Sequence, residues 1–301
     1  MKVFLKREDD KNSAEKKPAE QTPPKPAMKN RLVVVKIGGQ IVDDEAVLEA
    51  ALSAFSRVKG KKILVHGGGK VATELANDLS IPQTLIDGRR VTDRETLKVA
   101  TLVYGGLVNK TLTVKLQALA INAIGMTGAD GNLILAKKRR QAKGEVDYGF
   151  VGDVEQVNGP LLKSFLEQGL TPVIAPLTHD GDGQLLNTNA DTIAQEVAKS
   201  LCRDYDVSLV YSFDKNGVLT DLENEASLLR EITPSLFKSL REEGKVFDGM
   251  IPKLENAFKA IECGVKRVCL GQAEQLNDLI DGKAGTVLKA DTSAEVTRVE
   301  R

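Results

Sequence analysis

This chain of 301 residues contains no tryptophan, and aromatic residues make up only 4% of it. Proteins that bind single-stranded nucleic acid stack bases on aromatic side chains, and those that bind phosphate backbones carry an excess of positive charge. Neither feature is present, because 42 lysines and arginines are balanced by 42 aspartates and glutamates. The composition therefore predicts no nucleic-acid partner and no attraction to an anionic membrane.

Cysteine and histidine are also scarce. Cys202, Cys263 and Cys269 lack the spacing of metal ligands, and His66 and His179 lie far apart in the chain. A protein-bound zinc or other metal site is therefore not expected. A small, odd number of cysteines is typical of a protein kept reduced, which predicts a cytoplasmic location.

Long apolar runs are missing as well. No stretch approaches the roughly 20 residues of a membrane-spanning helix, and the apolar patch at residues 3–5 is too short for a secretory signal. Residues 1–30 mix charges with four prolines and show no apolar period, so we expect a disordered N-terminal extension there. A flexible tail is expected over 289–301.

Between these ends, short runs rich in valine, isoleucine and leucine alternate with helical patterns. Repeated strand–helix units predict an α/β protein: a three-layer αβα sandwich with a mostly parallel open sheet. Elements at 123–127, 132–137 and 148–157 are interpreted as hairpins on this core. We expect helices over 44–58, 69–79, 94–121 (interrupted at Gly105 and Gly106), 191–201 and 252–262, and a last strand at 267–270.

Two predicted strands run directly into glycines, the first at Gly38–Gly39 and the second at Gly67, Gly68 and Gly69. Glycine lets an anion approach backbone N–H groups closely, and a helix that follows adds its positive end. The pair of loops favours an enzyme that handles phosphate. For either loop alone, a strand-to-helix turn that simply needs glycine is an equal alternative.

Known nucleotide motifs fit these loops poorly. A P-loop is excluded because Lys70 is followed by Val71 instead of serine or threonine. The letters of a dinucleotide fingerprint do occur at 67–72, but a single match of this kind is weak. It leaves a dinucleotide oxidoreductase as a third-ranked hypothesis.

Lys36 interrupts the otherwise apolar first strand one residue before its end. A lysine buried in a strand is costly unless it points from the carboxyl edge of the sheet toward a bound anion. The alternative is an edge-strand lysine whose ammonium reaches solvent.

Five segments carry a resemblance to a known family when they are taken together and in order. They are Lys36-Ile37-Gly38-Gly39, His66-Gly67-Gly68-Gly69, Gly88-Arg89-Arg90-Val91-Thr92, Asn187-Thr188-Asn189-Ala190-Asp191 and Gly249-Met250-Ile251-Pro252-Lys253. From about residue 31 to 288 the chain resembles the acetylglutamate kinase branch of the amino acid kinase family. The resemblance implies ATP-dependent phosphorylation of the side-chain carboxylate of N-acetyl-L-glutamate, a step of arginine biosynthesis, with Mg²⁺ accompanying ATP.

The resemblance also implies roles for individual residues. The catalytic group would be Lys36, Lys253 and Asp191, with Asp191 between the two lysines. The acyl amino acid would be bound by Gly67, Gly68, Arg90 and Asn187. The nucleotide would be bound by Lys36, Gly38, Gly39, Asp214, Gly217 and Lys253. Phe213 departs from the family pattern, which commonly has serine or threonine there, and this leaves the adenine-side contacts open.

Within the predicted kinase domain, residues 31–175 would hold the acyl amino acid and 176–288 the nucleotide. Alternatives remain open: a kinase for N-succinyl-glutamate or a carrier-bound aminoadipate, or a non-catalytic amino-acid sensor on the same fold. Arginine-inhibited members of the branch have an additional N-terminal helix that joins dimers into hexamers. Residues 1–30 are broken by proline, so we expect a homodimer.

Overall fold

The computed structural model describes residues 30–291, except 87–88, 141–145, 222 and 247–249. Residues 1–29 of the extension expected to be disordered and most of the tail expected for 289–301 lie outside the described residues, as do Gly88 and Gly249; Asn30 is already part of the first strand. The helices are α1 (Gly39–Asp43), α2 (Glu45–Ser56), α3 (Gly69–Asp78), α4 (Arg94–Ala100), α5 (Asn109–Ala118), α6 (Gly159–Glu167), α7 (Ala190–Leu201), α8 (Pro234–Glu242), α9 (Ile251–Glu262) and α10 (Leu276–Asp281).

The strands form one large sheet and several small ones. They are β1 (Asn30–Ile37), β2 (Lys61–His66), β3 (Leu85–Ile86), β4 (Arg89–Arg90), β5 (Ala123–Met126), β6 (Ile134–Lys138), β7 (Gly152–Val157), β8 (Thr171–Ile174), β9 (Leu177–His179), β10 (Leu185–Asn187), β11 (Tyr205–Phe213), β12 (Val218–Leu219), β13 (Leu228–Leu229), β14 (Glu231–Ile232), β15 (Arg267–Gln272) and β16 (Thr286–Leu288).

The main sheet has eight strands in the order β14-β16-β15-β11-β1-β2-β8-β5. Six neighbouring strands, from β15 to β5, are parallel, and only the β15–β16 contact is antiparallel. Parallel strands need crossover helices, and these cover both faces of the sheet. The mostly parallel three-layer architecture expected from the sequence is confirmed.

Residues of β1 show how the two faces are built. Leu32 and Val34 pack into the layer that contains α6, α7, α8 and α9, while Val33 and Val35 pack against α2, α3, α5 and α10. All four are essentially inaccessible to solvent. Because β1 packs against helices on both faces of the sheet, it lies at the centre of the protein. The burial of each such side chain contributes about 1.5–3 kcal/mol to stability, which holds the carboxyl end of the strand in place.

Two details of the expected strands are wrong. The segment at 123–127 is not part of a hairpin, because β5 pairs in parallel with β8 at the edge of the main sheet. The strand at 267–270 is not the last one, since β16 follows and pairs with β15. The expected hairpin character is correct for β6 and β7, which are antiparallel neighbours.

A second sheet of four strands, in the order β10-β9-β6-β7, lies beside the first. Two of its strands precede residue 175 and two follow it. The expected boundary between the two halves thus lies in the connection from β8 of the main sheet to β9 of the second sheet, and strands from both halves contribute to that second sheet. Single bridges join Thr92 to Gly149 and Val151 to Asn187, which links the β3–β4 hairpin to β10 through the segment between.

The long helical region at 94–121 is continuous, although an interruption was expected at its glycines. A π-helical segment, Thr101–Val108, joins α4 directly to α5 and contains Gly105 and Gly106. Wider π turns inside a helix are uncommon and frequently occur at functional sites. No helix in the described ranges is long and apolar enough to cross a bilayer.

Candidate active site

The two glycine loops lie side by side at the carboxyl edge of the main sheet. The ends of β1 and β2 are in register, with Ile37 opposite His66. The N–H group of Gly67 donates a hydrogen bond to the carbonyl of Ile37 at 3.1 Å. Because both strands stop at the same level, both loops open toward the same space above the sheet.

The absence of side chains allows the loops to touch. A Cβ on Gly67 would lie 3.1 Å from the backbone nitrogen of Gly39, and one on Gly39 would lie 3.4 Å from the nitrogen of Gly69. Gly68 has φ of +146°, a conformation open to glycine and strained for other residues. The arrangement concentrates backbone N–H groups at the amino end of α3, where an anion is favoured.

Lys36 reaches this space from β1 and forms an ion pair there. Its Nζ lies 2.7 Å from Oδ1 of Asp191, in the first turn of α7, and both side chains are mostly buried. The hydroxyl of Tyr211 donates to the backbone carbonyl of Asp191 at 3.3 Å, which ties α7 to β11. Lys36 therefore does not snorkel into solvent, and its carboxylate partner is held by a second element.

Lys253 does not share this ion pair. Its Nζ lies 5.4 Å from the centre of the Phe213 ring, at the end of β11, in a cation–π geometry. Among the described ion pairs, Asp191 contacts Lys36 alone. Of the expected arrangement with Asp191 between two lysines, the structure shows the contact with Lys36, while Lys253 lies over the ring of Phe213.

Arg90 lies on the other side of the second loop. Its guanidinium donates to the carbonyl of Gly69 and to Oγ1 of Thr73, both at 2.8 Å, and to Oε1 of Gln83. The half-buried side chain is fixed by these three acceptors. Its fork of donors faces the start of α3.

Asn187 joins the same group of residues through Thr92. Its Nδ2 donates to Oγ1 of Thr92 at 3.0 Å, and that hydroxyl donates to the carbonyl of Arg90 at 3.1 Å. Asn189 is the N-cap of α7, and its side-chain oxygen accepts hydrogen bonds from the N–H groups of Asp191 and Thr192.

Asp214 and Gly217 lie on the loop after β11. Asp214 is exposed, and its carbonyl accepts a hydrogen bond from Nε2 of Gln272. Gly217 has φ of +152°, and a Cβ there would come within 2.6 Å of Oγ1 of Thr286. Close packing is therefore sufficient to explain why this position is glycine.

Comparison with known proteins identifies the family. The model of the amino acid kinase family matches residues 31–272, most of the chain. The chain belongs to the amino acid kinase family. This confirms the resemblance expected from the five segments, and it makes the dinucleotide fingerprint at 67–72 a coincidence of letters.

Curated relatives of this amino acid kinase include three with high coverage. Acetylglutamate kinase of Phocaeicola vulgatus is 52% identical over 262 residues, which is 87% of this chain and 100% of that protein. The acetylglutamate kinase of Parabacteroides distasonis is 53% identical over 82% of this chain and 96% of its own length. That of Methanopyrus kandleri is 40% identical over 85% of this chain and 99% of that protein.

Solved structures agree with the fold of the amino acid kinase. N-acetylglutamate synthase from Neisseria gonorrhoeae, complexed with coenzyme A and N-acetyl-glutamate, aligns with a TM-score of 0.72 at 21% identity, covering 88% of this chain and 60% of that one. Carbamate kinase from Giardia lamblia bound to AMP-PNP aligns with a TM-score of 0.63 at 15% identity, covering 88% and 99%. At these identities the likeness concerns the fold alone.

Several residues beneath the glycine loops of this amino acid kinase had no role predicted from the sequence. His66 is completely buried and bonded to Gly67, and Asn109 is bonded to His66. Tyr104, on the π-helical segment, contacts the position of Gly68. Burial raises the pKa of the Tyr104 phenol, and the nearby Arg90 guanidinium opposes that change. The only sequence signal was the histidine directly before the glycines.

Proposed function

We propose that this protein transfers the γ-phosphoryl group of ATP to the side-chain carboxylate of N-acetyl-L-glutamate, a step of arginine biosynthesis. The observation that carries the proposal is the buried Lys36–Asp191 pair beside two touching glycine loops at the carboxyl edge of the sheet. Relatives named acetylglutamate kinase, about 50% identical over most of the chain, support the choice of acceptor.

The proposed chemistry needs positive charge more than a base. A carboxylate is already ionised at neutral pH. Its oxygen attacks the γ-phosphorus, a new O–P bond forms, and the bond from phosphorus to the β–γ bridging oxygen breaks, releasing ADP and an acyl phosphate. The barrier arises largely from repulsion between two anions, which ammonium groups and N–H donors held in line reduce.

We assign the residues accordingly. Lys36, with the amides of Gly38 and Gly39, contacts the transferring phosphoryl group. Asp191 orients Lys36, and Lys253 contacts phosphates on the leaving-group side once it leaves the ring of Phe213.

Residues 31–175 mainly hold the acceptor, and 176–288 mainly hold ATP. The backbone amides of Gly67 and Gly68 donate hydrogen bonds to the side-chain carboxylate of the acceptor. Arg90 and Asn187 bind the α-carboxylate end of the same molecule. Asp214 and Gly217 serve the nucleotide.

Mg²⁺ would accompany the nucleotide. In the parts of the chain that are described, no group of three or more histidine, cysteine, aspartate or glutamate side chains could hold a metal ion. Mg²⁺ is commonly bound through substrate phosphates with few protein ligands, and this fits a site made of lysines and amides. The bound ion would neutralise part of the phosphate charge.

A coupled assay of ADP release tests the proposal. We expect Lys36→Met and Lys253→Met to lower kcat by orders of magnitude while the fold survives. Lys266→Met is the matched control, because Lys266 pairs with Asp206 at the amino ends of β15 and β11, away from the carboxyl edge where the site lies. Wild-type kcat in both site variants would refute the mechanism, and a wild-type protein that binds N-acetylglutamate without turnover would favour the sensor alternative.

One observation supports N-succinyl-glutamate as a second candidate acceptor. A cavity of about 520 Å³ is lined by Arg94, Phe150 and Leu185, among others. The backbone of Phe150 bonds both to Thr92 and to Asn187, so this basic and apolar cavity borders the proposed acceptor residues. If a longer anionic acyl group enters it, Arg94→Leu lowers kcat/KM for N-succinyl-glutamate more than for N-acetylglutamate. Equal effects on both would remove this candidate.

We also propose a cytoplasmic homodimer. Large apolar side chains are exposed along the π-helical segment and α5: Leu102, Leu107 and Val114 are 60%, 59% and 64% accessible. Such a row on one long helix favours association with a second copy. Light scattering should give about 65 kDa, twice the 32.5 kDa of one chain. A species near 195 kDa, with or without arginine, would contradict it.

A further inference from the structure

A buried histidine lies directly beneath the second glycine loop. His66, the last residue of β2, is inaccessible to solvent. Its Nδ1 lies 2.8 Å from the carbonyl oxygen of Gly67, and its Nε2 lies 3.1 Å from Nδ2 of Asn109. A side-chain amide nitrogen only donates, so Nε2 accepts. The ring therefore carries its hydrogen on Nδ1 and donates it to Gly67.

The orientation of the Asn109 amide is fixed by its other partners. Nδ2 also donates to the carbonyl of Val173 at 2.9 Å, and Oδ1 accepts from Nζ of Lys110 at 3.2 Å. Lys110 is the charged group that faces this pair, and its ammonium touches the far end of the amide. Both donors of Asn109 are thus used, and reversing the amide would break these contacts.

The π-helical segment presses the same loop from the side. A Cβ on Gly68 would lie 3.3 Å from the ring of Tyr104 and 3.4 Å from Cγ2 of Val108. Asn109 follows Val108 directly. Tyr104 and Val108 thus lie against the loop, while the amide of Asn109 reaches His66 beneath it.

We infer that His66 and Asn109 are positioning residues that aim the Gly68 amide at the reacting acceptor. The carbonyl of Gly67 and the N–H of Gly68 belong to one planar trans peptide group, so they point in opposite directions. The hydrogen bond from His66 pulls the carbonyl toward the core and turns the N–H outward. Without it, a peptide between two glycines rotates easily.

This inference rests on the proposed kinase function, in which the Gly68 amide binds the acceptor carboxylate. Loss of a single preorganised donor lowers kcat by about 10²–10³-fold in enzymes of acyl transfer. Loss of its orientation alone should cost less. We expect the effect in kcat and in the acceptor KM, with the KM for ATP changed less than about twofold, because ATP is bound by other groups.

Two variants separate positioning from simple packing. In His66→Asn the shorter amide places a donor near the position of Nδ1, and in His66→Leu no donor remains at similar volume. We expect His66→Asn to keep kcat within about fivefold of the wild type and His66→Leu to lose about 10–100-fold. Wild-type kcat in His66→Leu, or equal losses in the two variants, would overturn the inference.

A spectrum of the wild-type protein tests the geometry independently of turnover. The chain has two histidines, so a long-range ¹H–¹⁵N correlation spectrum, with His179→Gln for assignment, reports the tautomer of His66. A neutral ring with its hydrogen on Nδ1 is expected. A hydrogen on Nε2, or a charged ring at pH 7, contradicts the inference even if neither variant folds. A wild-type protein without kinase activity would contradict the proposed function but not this spectrum.

Discussion

Because His66 is buried, we expect the free energy of unfolding to depend on pH in the mildly acidic range. Burial, opposed only by the contact with Gly67, lowers the pKa of His66 from its ordinary value of 6.5 to about 4. The unfolded chain therefore binds a proton at this residue before the folded protein does. The contribution to stability is full above pH 6.5 and is lost as the pH falls from 6.5 toward 4.

The size of this loss follows from the two pKa values. The difference between the ordinary pKa of 6.5 and the pKa of about 4 in the folded protein corresponds to about 3 kcal/mol. Between pH 7.5 and 5.0, the part that is lost is about 2 kcal/mol. Set against a total unfolding free energy of about 5–15 kcal/mol, this is a large change from one side chain.

Urea unfolding of the wild type and of His66→Leu at pH 7.5 and 5.0 measures the effect. Other titrating groups contribute equally to both proteins, so the difference between them isolates His66. We expect the wild type to lose about 2 kcal/mol more than His66→Leu over this interval, at one fixed protein concentration. The reasoning would be refuted if the difference between the two proteins did not change with pH.

Three further predictions concern the site and its supports. Arg90→Lys keeps the charge but loses the fork of donors, so we expect the KM for the acyl amino acid to rise about tenfold or more while the KM for ATP stays constant; steady-state kinetics would contradict this if both rose alike. Thr92→Val removes the hydroxyl that accepts from Asn187, and we expect a several-fold rise in the same KM with little change in kcat; an unchanged KM would show that the hydrogen bond does not matter. Gly217→Ala should destabilise the protein by about 2–4 kcal/mol through backbone strain and the clash with Thr286. The control is Gly183→Ala, which should cost only about 1 kcal/mol, because Gly183 also has a positive φ (+95°) but a Cβ there would meet no atom within 4 Å. Equal losses of unfolding free energy in urea would contradict the role of the clash.

Most local elements follow from the sequence because their signals are local. Asp44 caps α2 as a short side chain before an apolar-periodic run should. The glycines after β1 and β2 begin α1 and α3, as strand–glycine–helix patterns predict. The uninterrupted buried apolar run at residues 32–35 of β1, rich in β-branched valine, is sufficient to place it inside a parallel sheet.

Other features depend on partners far away in the chain. The segment at β5 has the length and composition of a hairpin strand, and only its pairing with β8, almost fifty residues later, puts it in the main sheet. The π-helical segment contains two glycines that suggest a break. In the structure the helix continues through both glycines, and Tyr104 and Val108 of this segment lie against Gly68.

The candidate site shows the same division. Lys36, out of place in an apolar strand, was identifiable by the cost of burying it, and its partner Asp191 lies in the first turn of a predicted helix. The position of Lys253 over Phe213 was not identifiable, since contact between a side chain in α9 and the end of β11 is set by the packing of two elements. His66 offered a signal as a lone histidine before glycines, but its partner Asn109 had none.

By itself, the sequence determined the class of fold, the two glycine loops that end β1 and β2, and the lysine that is out of place in the apolar strand β1. These are consequences of periodicity, of glycine and of the cost of burying charge, and each acts within a few residues. Only the tertiary structure decided that the loops touch, that Asp191 pairs with Lys36, and that His66 lies between the carbonyl of Gly67 and the amide of Asn109. Those outcomes depend on distances between strands and helices, which are set by packing across the whole core.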